Sequence, residues 1–254
     1  MARINAGNSD TLDVMDTYAD IVYCIDLTSS MQPIINRVKE MARTLHTELQ
    51  DAMLEGYQRY VKRMRVKVIG FRDLYCDAKA SFEVSGFFNL PQESDAFYAF
   101  LNKLQAAGGG DVPENSLEAL ALAIKGEWCQ TMDVNIRKRH IIVLFTDAPA
   151  HRLEKALDGV DDWYSHYLGT MPKNIMELND WWGQQKSDAG NIIFTLDNDA
   201  KRMAIFAPTS AEPWDRVKTG AVFDNCKVCN INPNQGGSDI TTKTIIKMLS
   251  ETLV

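Results

Sequence analysis

Three short runs of this 254-residue chain carry oxygen-bearing side chains at spacings that suit one shared task. Asp26, Thr28 and Ser30 are spaced by two, so an extended turn aims all three side chains at one point. Asp111 follows three glycines, Gly108 to Gly110, just ahead of Pro113 at an expected helix start. Asp147 closes the apolar run Ile141-Ile142-Val143-Leu144-Phe145. Two hydroxyls and two or three carboxylates, completed by water, make an all-oxygen shell for a hard cation. Mg2+ suits it best, since that ion takes few carboxylates and keeps several waters; Mn2+ and Ca2+ are the substitutes. No pair of His or Cys accompanies these runs, which argues against zinc. Thr28 and Ser30 are neutral and cancel only part of the ion's charge. Such an ion keeps an exchangeable position and favours a carboxylate from outside the protein.

These residues need a scaffold that brings strand ends together. Residues 20–25 read as a buried strand ending at Asp26, and 31–54 have the apolar spacing of one helix with Pro33 in its first turn. Strands are expected at 66–71 and 80–84, pairing as a hairpin, followed by a helix over 92–104 and another over 113–125. Residues 141–145 form the most apolar strand, and a long irregular stretch from 148 to 189 holds one helical piece near 175–185. Strands at 203–207 and 228–231, a short helix at 213–217, and a last helix over 239–253 capped by Ser238 or Asp239 complete the order. Strands alternating with helices imply an α/β, Rossmann-like three-layer sandwich. Its central sheet is mostly parallel with one antiparallel edge strand, and helices cover both faces. In such a sheet ligands bind beyond the strand carboxyl ends where strand order reverses, which is where Asp26 and Asp147 would meet. A polar arm (1–17) and a single domain (18–254) with an extended segment at about 148–190 describe the organisation.

Bulk properties narrow the function class. The chain is 45% hydrophobic and 24% charged, with a net charge of −7, which argues against nucleic-acid or anionic-membrane binding. No apolar run approaches the roughly 18 residues of a spanning helix, and the polar start lacks a secretory signal. Five cysteines, with Cys24 and Cys129 in apolar surroundings, favour reduced thiols and a cytoplasmic location.

Asp26-x-Thr28-x-Ser30, the Gly-Gly-Asp at Asp111 and Phe145-Thr146-Asp147 together resemble the metal-ion-dependent adhesion site (MIDAS) of von Willebrand factor A (vWA) domains. The resemblance covers the chain from about Asp20 onward and matches the element order. It implies a Mg2+ ion held by Asp26, Thr28, Ser30, Asp111 and Asp147, directly or through water, with a partner's Glu or Asp completing the shell. It also implies that the first and fourth main strands lie side by side. Two departures are Thr28, where the family usually has Ser, and Asp111, where it often has Thr. The run Asp111-Val112-Pro113-Glu114 also resembles integrin β chains, in which the Glu reaches the ion, so Glu114 rivals Asp111. The runs at 70–73 and 108–114 look most like stand-alone prokaryotic vWA proteins and alpha-kinase-associated vWA domains. That implies partner binding in intracellular signalling or stress response rather than catalysis.

Blander roles compete at each position. Glu114 is equally a first-turn helix acid. Arg72 and Asp73 read as a local ion pair or as the rim of the site, His151 as structural or rim, and Trp163 as a rim aromatic or a packing residue. Trp181 and Trp182 read as packing. Cys226 and Cys229 cross an expected strand and would face opposite ways, so metal or redox use is disfavoured. Two alternative functions remain at this stage. One is a Mg2+-dependent phosphohydrolase, disfavoured because Thr28 stands where a general acid is needed. The other is a scaffold whose ion is purely structural.

Overall fold

In β1 (Asp16–Asp26) Ile21, Tyr23 and Ile25 join one hydrophobic cluster and Val22 and Cys24 another, all of them buried. A strand apolar on both faces must be covered on both, the condition of a central parallel strand between helical layers. A computed structural model, which describes residues 16–77, 80–110, 112–153, 168–183, 194–233 and 235–254, places β1 in that position. The arm at 1–15 lies outside the described residues, and its expected last two, Asp16 and Thr17, already belong to β1.

The further strands are β2 (Val61–Phe71), β3 (Phe82–Val84), β4 (Phe88–Leu90), β5 (Ile136–Phe145), β6 (Lys201–Ala207) and β7 (Cys226–Asn230). Among the described residues they form one sheet in the order β3-β2-β1-β5-β6-β7, with β4 also on β2. β1, β2, β5, β6 and β7 are parallel, while β3 and β4 run antiparallel to β2, so the antiparallel edge is built in two short pieces. On one face lie α1 (Gln32–Met41), α2 (Leu45–Tyr57), α4 (Ser94–Lys103) and α8 (Thr242–Leu253). On the other lie α5 (Ser116–Ile124), α6 (Ile175–Trp182) and α7 (Trp214–Lys218); the single turn α3 (Leu74–Asp77) follows β2. The chain passes from β1 to β2 on one side, and β5 pairs β1 on the other, so strand order reverses at the β1/β5 carboxyl ends.

Several boundaries differ from the sequence expectation for identifiable reasons. The helix expected over 31–54 breaks at Ala42–Thr44, where Ala42 N and Thr44 N bond the carbonyls of Lys39 and Met41, three residues back, and α2 begins at Leu45. β2 begins five residues early because its charged residues are paid into local contacts: Arg65 pairs with Asp20 and lies over the Phe87 ring at 4.3 Å. α5 starts only at Ser116, because Glu114 instead bridges Ala150. The cap of α8 is Thr241, whose side chain accepts from Thr244 N, rather than Ser238 or Asp239. Trp181 and Trp182 are fully buried as expected. Cys226 and Cys229 pack against opposite clusters, one on each face of the sheet.

At the opposite end of the sheet, His140 of β5 is buried against Trp128, with ring centroids 5.1 Å apart. Asp197 N donates to its Nδ1 (3.1 Å), so Nε2 carries the proton and donates to Cys129 O (3.0 Å). Protonating Nδ1 would oppose one N–H with another. Burial also lowers the His140 pKa, against the pull of Asp20 and Asp197 and with the help of Lys138. The unfolded chain therefore takes up a proton below its usual pKa of about 6.5 while the fold refuses it. Stability contributed by neutral His140 is present above that pH and is lost as pH falls through it. Urea unfolding at pH 7.5 and 5.5 should show a smaller acid-side loss for His140→Gln than for the parent; equal losses would refute the assignment.

Candidate functional site

Asp26 ends β1, and Asp147 follows β5 by two residues, with Ile25 and Phe145 in register beside them. The backbone turns sharply after Asp26. Its carboxylate accepts both Thr28 N (2.9 Å) and Thr28 Oγ1 (2.6 Å) on Oδ1, and Met31 N bonds Thr28 O (3.0 Å) to start a helical turn. Thr146 Oγ1 donates to Asp26 Oδ2 (2.8 Å), tying the two strand ends together. Ser30 Oγ donates to Asp147 Oδ1 (2.9 Å), and Gly236 N donates to Asp147 Oδ2 (2.8 Å). Asp26 is wholly buried, and burial raises its carboxyl to about 6, with the charge of Asp147 adding; the bonds from Thr28 and Thr146 work the other way.

Gly108 to Gly110 supply the opposite wall of a cavity of about 200 Å3 that Thr28, Ser30, Val112, Glu114 and Asp147 also line. Gly109 has to be small: a Cβ there would lie 2.9 Å from Thr28 Cγ2 and 3.1 Å from Glu114 Oε1. Asp77 accepts Gly109 N (3.0 Å), and Ala107 N bonds Leu27 O (2.9 Å), which locks the loop to the β1 turn.

The structure therefore brings Asp26, Thr28, Ser30 and Asp147 together and sets Glu114 on the same cavity. Asp111 and Trp163 lie outside the described residues. The expected rim needs correcting at three positions, since Arg72, Asp73 and His151 are buried. Arg72 does not pair with Asp73; it bonds the carbonyls of Ala80, Gln105 and Ala107 and the Glu83 carboxylate. Asp73 instead accepts Tyr75 N (2.8 Å) and faces His151 Nε2 at 3.3 Å. These polar side chains brace loops from below. Thr146, Asp77 and Gly236, which hold the site in shape, had no role assigned from the sequence, because their partners lie 32 to 120 residues away.

An ionised carboxylate only accepts, so the Thr28 and Ser30 hydroxyls spend their protons on Asp26 and Asp147. Their oxygens sit 3.5 Å apart on the same cavity, where each keeps lone-pair capacity for a cation. Cis ligands of Mg2+, each about 2.1 Å from the ion, lie about 3 Å apart, so this pair needs only a small closure. Among the described residues no group of three or more His, Cys, Asp or Glu is spaced to hold an ion alone. The set fits a hard cation through its hydroxyls joined to two aspartates, with Glu114 alongside.

Residues 86–160 match the von Willebrand factor A domain family. No curated protein matches the chain. Similar solved structures include the open form of the pilus adhesin SpaC from Lactobacillus rhamnosus GG (12% identity, TM-score 0.50, 93% of this chain and 30% of that one). A von Willebrand factor type A protein from Catenulispora acidiphila (15%, 0.44, 94% and 43%) and proximal thread matrix protein 1 from the mussel byssus (12%, 0.46, 94% and 48%) are also similar. The chain thus spans less than half the length of each of these structures. The chain thus has an α/β fold similar to that of the SpaC structure, and the likeness to the von Willebrand factor A domain family is carried by residues 86–160. No helix among the described residues is long and apolar enough to cross a membrane.

Proposed function

We propose that the chain is a cation-dependent protein-binding module without catalytic turnover. Thr28, Ser30 and Asp147 would hold Mg2+, with Asp26 beneath them and Glu114 or Asp111 as the further carboxylate. When bound, the ion supplies an electrophilic position for a Glu or Asp of a protein partner. The chain's own residues orient the site: Asp26 and Asp147 take the hydroxyl protons and turn both hydroxyl oxygens toward the cavity. The observation that carries the reading is that pair of hydroxyl oxygens, 3.5 Å apart on one cavity and each also bonded to a strand-end aspartate. Intracellular signalling or a stress response in the cytoplasm is the proposed setting.

Calorimetric titration of metal-free protein with Mg2+ tests the site, using Ser30→Ala and Asp26→Ala. Each variant is expected to weaken Mg2+ binding by about ten-fold or more while the far-UV spectrum is kept. A pull-down from the source cell should lose its partner in EDTA and with Asp26→Ala. Equal Mg2+ heats in parent and Ser30→Ala, or a complex indifferent to EDTA, would sink the proposal.

A further inference from the structure

A second cavity opens beside the cation cavity, about 470 Å3 in volume and lined by Pro113, Leu117, Pro149, Leu153, Ile175 and Pro213 among others. Its size lies in the range of sites that enclose a ligand rather than a water cluster. The two cavities share their walls residue by residue. Val112 and Glu114 line the first and Pro113 the second; Asp147 and Ala148 line the first and Pro149 to Leu153 the second.

That wall is fixed in place. Glu114 N bonds Pro149 O (3.0 Å), His151 N bonds Glu114 O (2.8 Å) and Ala150 N bonds Glu212 O (3.2 Å). Fully buried Trp214 donates its Nε1 to Ala148 O (2.9 Å), pinning the segment that links the cavities. The second cavity is therefore preformed, which spares a ligand the entropy of ordering it.

Its charge is one-sided. Arg152 faces Glu212 at 3.4 Å, whereas Arg216 contacts Met176 Sδ and pairs with no carboxylate among the described residues. Two exposed apolar side chains lie nearby: Val112 (58% exposed) lines the cation cavity, and Met176 (51%) contacts Arg216. An apolar hollow with an unmatched guanidinium, adjoining a site for a carboxylate, selects an occupant that is apolar and acidic together.

We propose that this cavity receives a large apolar side chain of the same partner segment that gives its carboxylate to the cation, with a second acidic group of that segment on Arg216. The inference rests on the cation-dependent reading above and names its partner as a segment in which two acids flank a Leu-, Ile- or aromatic-type residue. Ala150 lines the cavity, so Ala150→Phe fills it without touching the cation's oxygens.

The test pans a random peptide library displayed on phage against the immobilised full chain in Mg2+, with elution by EDTA. Eluted peptides are expected to share an acid, a large apolar residue within a few positions and a second acid. A selected peptide should bind Ala150→Phe and Arg216→Glu about ten- to a hundred-fold more weakly, while Mg2+ titration of both variants matches the parent. Peptides carrying an acid without apolar preference, or equal affinity for Ala150→Phe, overturn the second cavity's role and leave the cation reading standing. Apolar peptides that bind without Mg2+ overturn the shared-segment proposal. Loss of Mg2+ binding in the parent itself removes the underlying reading and this inference with it.

Discussion

Arg72→Leu is expected to lower the free energy of unfolding by about 3–5 kcal/mol, read from urea denaturation. The buried guanidinium donates to Ala107 O (2.8 Å), Ala80 O (2.7 Å), Gln105 O (2.9 Å) and Glu83 Oε1 (3.0 Å). Leucine fills part of the volume but leaves three carbonyls from two loops without their donor. Arg72→Lys should recover little, because one ammonium cannot reproduce a planar fork that reaches four oxygens in different directions. Glu83 is about one third exposed, so Glu83→Gln should cost less than about 1 kcal/mol and isolates the carbonyl contacts as the main contribution. Arg72 also holds the base of the Gly108–Gly110 loop, which Ala107 N ties to Leu27. Under the cation reading both Arg72 variants should therefore weaken Mg2+ binding as well. Unfolding of Arg72→Lys at the parent's midpoint would show that the carbonyl contacts do not matter.

Arg72 also illustrates where sequence reading stops. Charged residues at a strand end are usually solvated, and nothing near Arg72 in the chain reveals that its acceptors come from residues 80, 105 and 107. The contact between Asp73 and His151 was not legible for the same reason, since it joins residues 78 positions apart in a buried setting. The central strands were legible because β1 and β5 are apolar on both faces, which a parallel sheet between helices requires. The Asp26-Thr28-Ser30 turn was legible because its bonds are local, spanning two residues. Its pairing with Asp147 followed from the strand-order reversal together with the family resemblance, which implied that the first and fourth main strands are neighbours. The break at Ala42–Thr44 was hidden because the apolar spacing continues through it: Val38, Met41, Leu45 and Leu49 all reach the same core. β4 was missed because Phe88–Leu90 is three residues long and gains its place only by pairing with β2.

Gly236→Ala should be the most damaging single-methyl change at the site, costing about 2–5 kcal/mol by adding backbone strain to overpacking. Gly236 sits at φ +55°, and a Cβ there would fall 1.9 Å from Ser30 O and 2.8 Å from Ser30 C. Those are backbone atoms of the turn that carries the Ser30 hydroxyl, so no side-chain rotation relieves the clash. Gly236 O also accepts Ile34 N (3.2 Å), and Gly236 N holds Asp147 Oδ2 (2.8 Å), so a shift moves α1 and Asp147 together. Gly220→Ala is the control: φ is +74°, but nothing lies within 4 Å of the added carbon, so it should show the strain alone, about 1–3 kcal/mol. Under the cation reading Gly236→Ala loses about ten- to a hundred-fold in Mg2+ affinity, as expected when a support of a ligating carboxylate is removed, while Gly220→Ala binds as the parent does. Equal destabilisation by the two variants, with Mg2+ affinity unchanged in both, would show that the 235–237 loop is independent of the site. A selective loss in Gly236→Ala would instead make Gly236, which is 89 residues from Asp147 in the chain, part of what sets the geometry of the Ser30–Asp147 pair.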